Sequence, residues 1–93
     1  MTHQARILLV DDEASIQRAV GTLLRSRGYQ LEVVGTGAEA LRIVDDRLPD
    51  LIVLDLGLPD VQGTEVCRRI RAGSRVPIVV LSARGAEADK VNA

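Results

Sequence analysis

Aromatic residues are almost absent from this sequence, which has one tyrosine, no phenylalanine and no tryptophan among its 93 residues. Since 46% of the residues are nevertheless hydrophobic, any core has to consist of aliphatic side chains, and this fraction is ordinary for a globular domain. The length suffices for one domain and not for two. We therefore predict a single domain that spans residues 1–93.

A basic excess, paired cysteines and long apolar runs are absent as well. The chain has 12 lysine and arginine residues against 13 aspartate and glutamate residues, for a net charge of −1, whereas non-specific nucleic-acid binders usually show a basic excess. The lone cysteine, Cys67, cannot form an internal disulfide, which suits a reducing compartment. No apolar run approaches membrane-spanning length, and the first residues lack the apolar segment of a signal peptide. These absences predict a cytoplasmic protein that makes no contact with a membrane.

Short apolar runs predict the strands of the fold: ILLV (7–10), LEVV (31–34), LIVL (51–54) and IVVL (78–81). The first, third and fourth runs are continuous rather than alternating, which is typical of strands that are covered on both faces in a parallel sheet.

Helical patterns separate these runs. Apolar residues recur at helical spacing in the segment 16–24, and Thr36 followed three residues later by Glu39 is a capping-box pattern. A third helix is predicted after Gly63, and residues 86–93 have the pattern of the start of a fourth. Because strands alternate with helices, we predict an α/β fold with a doubly wound parallel sheet, in the flavodoxin-like strand order 2-1-3-4.

Polar residues follow three of the predicted strands. Asp11 and Asp12 come after the first strand, Asp55 after the third and Ser82 after the fourth. Open α/β sheets bind ligands at the carboxyl ends of their strands, and the order 2-1-3-4 would gather these residues there. Carboxylates about 4 Å apart repel by on the order of 4 kcal/mol at an effective dielectric constant near 20. A proton, a basic side chain or a divalent cation would compensate that repulsion. Oxygen ligands suit Mg²⁺, and a cation beside a nucleophilic carboxylate serves phosphoryl transfer.

Other roles are possible for these residues. Asp12 and Glu13, each taken alone, are more simply explained as residues at a helix N-terminus, where negative charge is favourable. A dinucleotide-binding site is a further alternative, because Gly35-x-Gly37-x-x-Ala40 follows a strand and Asp55 comes about 20 residues later. That fingerprint normally follows the first strand, however, and it leaves the acids after the first strand and the hydroxyl after the fourth unexplained. The conjunction of polar residues after three strands therefore favours phosphoryl chemistry.

Three segments of the sequence resemble the receiver domains of two-component response regulators. They are ILLVDDEA, PDLIVLDLGLPDVQGTEV and VPIVVLSAR, and the resemblance runs from residue 6 to the end of the chain. The segment DLGLPD is most similar to the corresponding segment of regulators of the winged-helix transcription-factor class, of the KdpE type. The resemblance implies a CheY-like fold and a signalling switch that is not a turnover enzyme.

The resemblance also implies a role for each site residue. Asp55 matches the phosphoacceptor, which takes a phosphoryl group from a sensor histidine kinase. Asp11 and Asp12 match the acidic pair that holds Mg²⁺ together with Asp55, and Gly57 matches the position whose backbone carbonyl also binds the ion. Ser82 matches the hydroxyl that hydrogen-bonds the phosphoryl oxygens.

The end of the chain departs from the family pattern. Receiver domains carry a fifth strand, a lysine just after it and a fifth helix, and Lys90 does not match that lysine. We therefore expect a truncated receiver domain, with DNA binding only through an effector domain that these residues do not contain. An uncovered fourth strand would invite pairing with a second copy of the chain. An alternative is a phosphorylation-incompetent fragment that acts only in protein interaction. Asp60, next to the site, is expected to be solvated and without a catalytic role.

Overall fold

A computed structural model describes residues 4–81 of the chain. Strands and helices alternate as the sequence predicts, and their bounds are β1 (Arg6–Val10), α1 (Ala14–Ser26), β2 (Gln30–Val34), α2 (Gly37–Asp46), β3 (Leu51–Asp55), α3 (Gly63–Arg71) and β4 (Ile78–Leu81). The predicted fourth helix and Ser82 lie outside the described residues. No helix in the described part of the chain is long and apolar enough to span a membrane.

The four strands pair in parallel in the order β2-β1-β3-β4, which confirms the predicted order. The register aligns Val10 of β1 with Leu54 of β3. Asp11, the first residue after β1, therefore lies at the level of Asp55, the last residue of β3.

The apolar core has two parts, one on each face of the sheet. On one face, Leu8 and Ile52 belong to a cluster that packs against α2 and α3. On the other face, Leu9 and Val53 pack with Val20 and other residues of α1. Strands β1 and β3 are thus buried on both faces, as their continuous apolar runs predict.

The second helix begins as the capping-box pattern predicts. Thr36 Oγ1 accepts a hydrogen bond from Glu39 N at 3.2 Å. Glu39 Oε1 in turn accepts one from Gly35 N at 3.3 Å, which is one residue before the position usual for a capping box. The pair satisfies Glu39 N, one of the first amides of α2 with no partner within the helix, and the Gly35 amide that precedes the N-cap.

Several large apolar side chains of the described chain remain partly exposed. Val79 and Val80 on β4 are each 48% exposed, although consecutive strand residues point to opposite faces. Tyr29, the single aromatic residue, lies just before β2 and is 41% exposed. Cys67 is half-buried against the core, as expected for a small apolar side chain.

Gly63, the first residue of α3, sits tightly against the end of β3, and this contact yields a stability prediction. A Cβ at Gly63 would lie 2.6 Å from Leu56 Cα and 2.7 Å from the Asp55 carbonyl oxygen. Backbone atoms cannot move aside easily, so we expect Gly63→Ala to lower the free energy of unfolding by about 1–3 kcal/mol, the usual range for overpacking. Urea denaturation measures this change.

Gly73→Ala is the matched control, because no described atom lies within 4 Å of a Cβ at that position. Its free energy of unfolding should stay within about 0.5 kcal/mol of the unmodified chain. Equal losses in the two variants would contradict the packing argument.

Candidate metal centre

Three carboxylates meet at the carboxyl edge of the sheet. Asp11 and Asp12 follow β1, and Asp55 is the last residue of β3. One carboxylate oxygen from each lies within 4.8 Å of the other two. Asp11 is buried, Asp55 is half-buried and Asp12 is exposed, so the cluster is partly accessible to solvent.

The backbone around Asp11 is held by its neighbours in space. Asp11 N donates to the carbonyl oxygen of Val34 on β2 at 3.0 Å, and the Gln17 side-chain amide donates to the Asp11 carbonyl oxygen at 2.5 Å. Asp11 Oδ1 accepts a hydrogen bond from Glu13 N at 2.9 Å. These bonds fix the backbone of Asp11 and one of its two carboxylate oxygens.

Glu13 occupies the N-cap position of α1, but its side chain makes no capping hydrogen bond. It instead accepts a hydrogen bond from Ser15 Oγ at 3.2 Å. No described side chain therefore caps α1, because the bond from Glu13 N to Asp11 Oδ1 is a local turn bond between residues two apart. Capping does not account for Asp12 or for the approach of Asp55.

Burial raises the pKa of the Asp11 carboxyl above its usual range. The hydrogen bond from Glu13 N opposes this rise, and the negative charges of Asp55, Asp12 and Glu13 add to it. An unpaired carboxylate is costly in such a place, whereas a bound cation reverses the balance by stabilising the ionised form. A set of carboxylate oxygens, half-open to water, fits Mg²⁺, which binds one or two carboxylates and keeps several waters.

The two remaining predicted site residues are Gly57 and Ser82. Gly57 is half-buried in the segment 56–62, which connects β3 to α3. Ser82 lies outside the described residues, so its predicted position beside the carboxylates is not described by the structure.

The glycine-rich segment after β2 differs from a phosphate-binding turn. Gly37 N donates to Asp60 Oδ1 at 2.8 Å and Ala38 N donates to Asp60 Oδ2 at 2.9 Å. A dinucleotide would need these amides for its phosphates, but a carboxylate of the protein already binds them. Asp55 lies in the acidic cluster instead of near a ribose site, so the dinucleotide-binding alternative is not supported.

Asp60 is exposed, as expected, but it also has bonding partners that the sequence did not suggest. Its two partners lie on α2, 22 and 23 residues away in sequence. Hydrogen bonds from Gly37 N and Ala38 N lower the pKa of the Asp60 carboxyl. No local motif predicts a contact of that separation, although an acid near a helix N-terminus is a common arrangement.

Known proteins share both the sequence and the fold of this chain. The family described as "Response regulator receiver domain" matches residues 7–93. The DNA-binding response regulator MtrA of Mycobacterium tuberculosis is 46% identical over 90 residues, which cover 97% of this chain and 40% of that protein. The transcriptional regulatory protein KdpE of the same species is 46% identical over 87 residues, covering 94% and 38%. The chain thus spans about two fifths of the length of these relatives.

A solved structure with a similar fold comes from a sensor histidine kinase of Pseudomonas aeruginosa. Its receiver domain, described with a magnesium ion coordinated in the active-site cleft, superposes with a TM-score of 0.86 at 35% identity, covering 96% of this chain and 75% of that one. The CheY-like fold and the similarity to KdpE-type regulators are thereby confirmed. The chain belongs to the response regulator receiver domain family, whose members act in two-component signalling.

Proposed function

We propose that this receiver domain accepts a phosphoryl group on Asp55 in a reaction that depends on Mg²⁺. The observation that carries the proposal is the meeting of three carboxylates within 4.8 Å at the ends of two neighbouring strands. A bound Mg²⁺ would neutralise the charge that develops on the transferring phosphoryl group. Asp11 and Asp12 would hold the ion, together with Asp55 and the backbone carbonyl of Gly57.

The burial of the three acids suggests how their roles divide. Asp11 is fixed by Glu13 N and is buried, so its remaining oxygen suits a metal and not an incoming donor. Asp55 is half-buried at a strand end, where one oxygen can attack phosphorus. The bond from phosphorus to the donor breaks as the new phosphorus–oxygen bond forms, and the leaving group keeps the electron pair. Ser82 would donate a hydrogen bond to a phosphoryl oxygen.

A sensor histidine kinase would supply the phosphoryl group, with its phosphohistidine as the donor. In that role the domain is a switch that is modified once per signal and is not a turnover enzyme. We place it in the cytoplasm, where its single cysteine would stay reduced. Because MtrA is named a DNA-binding response regulator, we also infer a transcriptional output through an effector domain outside these 93 residues.

Strand β4 offers a surface for self-association, and we propose that a second copy of the chain pairs with it. Within the described residues, β4 pairs with β3 on one side only. Its Val79 and Val80 are half exposed, whereas the opposite edge strand, β2, carries exposed Gln30 and Glu32. An apolar edge invites pairing, and a polar edge discourages it.

The phosphorylation proposal is tested by incubating the 93-residue protein with acetyl phosphate and Mg²⁺. We expect intact-mass spectrometry to show a phosphate adduct that is absent after addition of a chelator and absent in Asp55→Asn. Asp46→Asn, which alters an exposed carboxylate on α2, should retain the adduct. If the unmodified protein forms no adduct, the phosphorylation-incompetent alternative is favoured.

The pKa of the Asp11 carboxyl is raised, and this yields a prediction about stability. We expect Asp11→Asn to be more stable than the unmodified protein without metal and less stable with Mg²⁺. Because the folded-state pKa is raised, ionised Asp11 destabilises the fold. That penalty is complete above the folded-state pKa and vanishes below the unfolded value of about 3.9. With chelator at pH 7, Asp11→Asn should therefore unfold at a higher temperature than the unmodified protein. This advantage should shrink as the pH falls toward about 4.

Mg²⁺ should stabilise the unmodified protein by about 2.7 kcal/mol at one hundred times its Kd and should leave Asp11→Asn nearly unchanged. Thermal unfolding followed by circular dichroism, with and without Mg²⁺, measures both effects. Equal stabilisation of the two proteins by Mg²⁺ would show that Asp11 does not bind the ion.

Self-association through β4 is tested by size-exclusion chromatography with light scattering. The mean mass of the unmodified protein should rise with concentration. Val80→Lys should shift it toward the monomer, because a lysine on an edge strand hinders pairing. Gln30→Lys places the same charge on the opposite edge and should have little effect. A monomer at high concentration for the unmodified protein would overturn the proposal.

A further inference from the structure

The connection between β3 and α3, residues 56–62, which we term the β3–α3 loop, is bound to the start of α2. The Asp60 carboxylate makes the link with both of its oxygens, at 2.8 Å to Gly37 N and 2.9 Å to Ala38 N. These amides are among the first of α2 and have no acceptor within the helix. A carboxylate is favoured there by the helix dipole and makes stronger bonds than a neutral acceptor.

Apolar packing reinforces the same contact. Gly37 is buried, and a Cβ at this position would lie 2.9 Å from Val66 Cγ2 and in closer conflict with Val61 Cγ1. Val61 belongs to the β3–α3 loop and follows Asp60 directly. The loop therefore rests against α2 both through hydrogen bonds and through a side chain that fits only because residue 37 is a glycine.

The other end of the loop is fixed as well. Gly63 N donates to the Leu56 carbonyl oxygen at 3.0 Å, and Leu58 is buried in the core. Gly57 lies between these fixed points, two residues after Asp55. Its carbonyl can approach an ion at the acidic cluster reproducibly only if the loop around it keeps one conformation.

Helix α2 does not depend on Asp60 alone for a cap. Thr36 already occupies the N-cap and accepts from Glu39 N. The two bonds of Asp60 instead join the helix to a loop 22 to 23 residues further along the chain. The two bonds therefore matter mainly for the conformation of the β3–α3 loop.

We propose that Asp60 is a positioning residue for the metal centre: by binding the start of α2, it fixes the β3–α3 loop so that the Gly57 carbonyl can bind Mg²⁺. This inference rests on the proposed Mg²⁺ site and assigns Asp60 a role in its affinity. Asp60 itself touches neither the ion nor the phosphoryl group in this arrangement.

The test is the Kd for Mg²⁺, measured by isothermal titration calorimetry at a temperature at which circular dichroism shows every variant to be folded. Asp60→Ala removes both bonds and should weaken Mg²⁺ binding by about 10-fold, the lower end of the effect seen for residues that orient metal ligands. Asp60→Asn keeps one acceptor oxygen and should lie between the alanine variant and the unmodified protein.

Thr36→Ala is the matched control. It removes a capping bond from the same end of α2 and changes none of the groups in the two Asp60 bonds, so it should lower the unfolding midpoint and leave the Kd for Mg²⁺ unchanged. A second readout is the shift of the Gly57 amide resonance on addition of Mg²⁺. That shift should persist in Thr36→Ala and diminish in Asp60→Ala.

The outcomes distinguish a failure of the proposed metal centre from a failure of the proposed role of Asp60. If the unmodified protein binds no Mg²⁺, the proposed metal centre fails, and the role of Asp60 fails with it. If it binds Mg²⁺ and Asp60→Ala binds equally well, the metal centre stands and the positioning role is overturned. Equal weakening in Asp60→Ala and Thr36→Ala would also overturn it, since loosening of α2 would then be the cause.

Discussion

The parallel pairing of β1 with β3 is the constraint on which the rest of the structure depends. Its register places Val10 beside Leu54, so the chain leaves both strands at one edge and Asp11 comes close to Asp55. Antiparallel pairing would have sent the two acids to opposite ends of the sheet. The helices that cover both faces make this pairing stable, because they bury the aliphatic residues of both strands.

Residues that stabilise the fold and residues of the proposed site that destabilise it lie close together in the chain. Leu8 and Ile52 are fully buried and stabilise the sheet, whereas Asp11 is buried among like charges and has a raised pKa. The metal-free fold thus contains a local destabilisation at the place where chemistry is proposed. Such sites persist when the surrounding structure determines their geometry. Here the hydrogen bond to the Val34 carbonyl and the bonds from Gln17 and Glu13 hold the backbone and one oxygen of Asp11.

Much of this arrangement is predictable from local sequence. Continuous apolar runs are enough to predict strands buried on both faces, and the spacing of Thr36 and Glu39 is enough to predict where α2 begins. The approach of the three acids follows once the strand order is assumed. The contacts of Asp60 and Gln17 could not be foreseen in the same way. Each side chain binds backbone groups that lie close only after the chain has folded, and an exposed aspartate carries no periodicity that would reveal its partner.

The scarcity of aromatic residues limits what near-ultraviolet absorption and fluorescence can report about this protein. Tyr29 is its only tyrosine, and the sequence has no phenylalanine or tryptophan. Tyr29 is 41% exposed and lies just before β2, an edge strand of the described sheet. Near-ultraviolet absorption and fluorescence therefore report on one margin of the domain, while the aliphatic interior and the acidic cluster are optically silent. A single tryptophan introduced near the cluster would be read without background from other tryptophans.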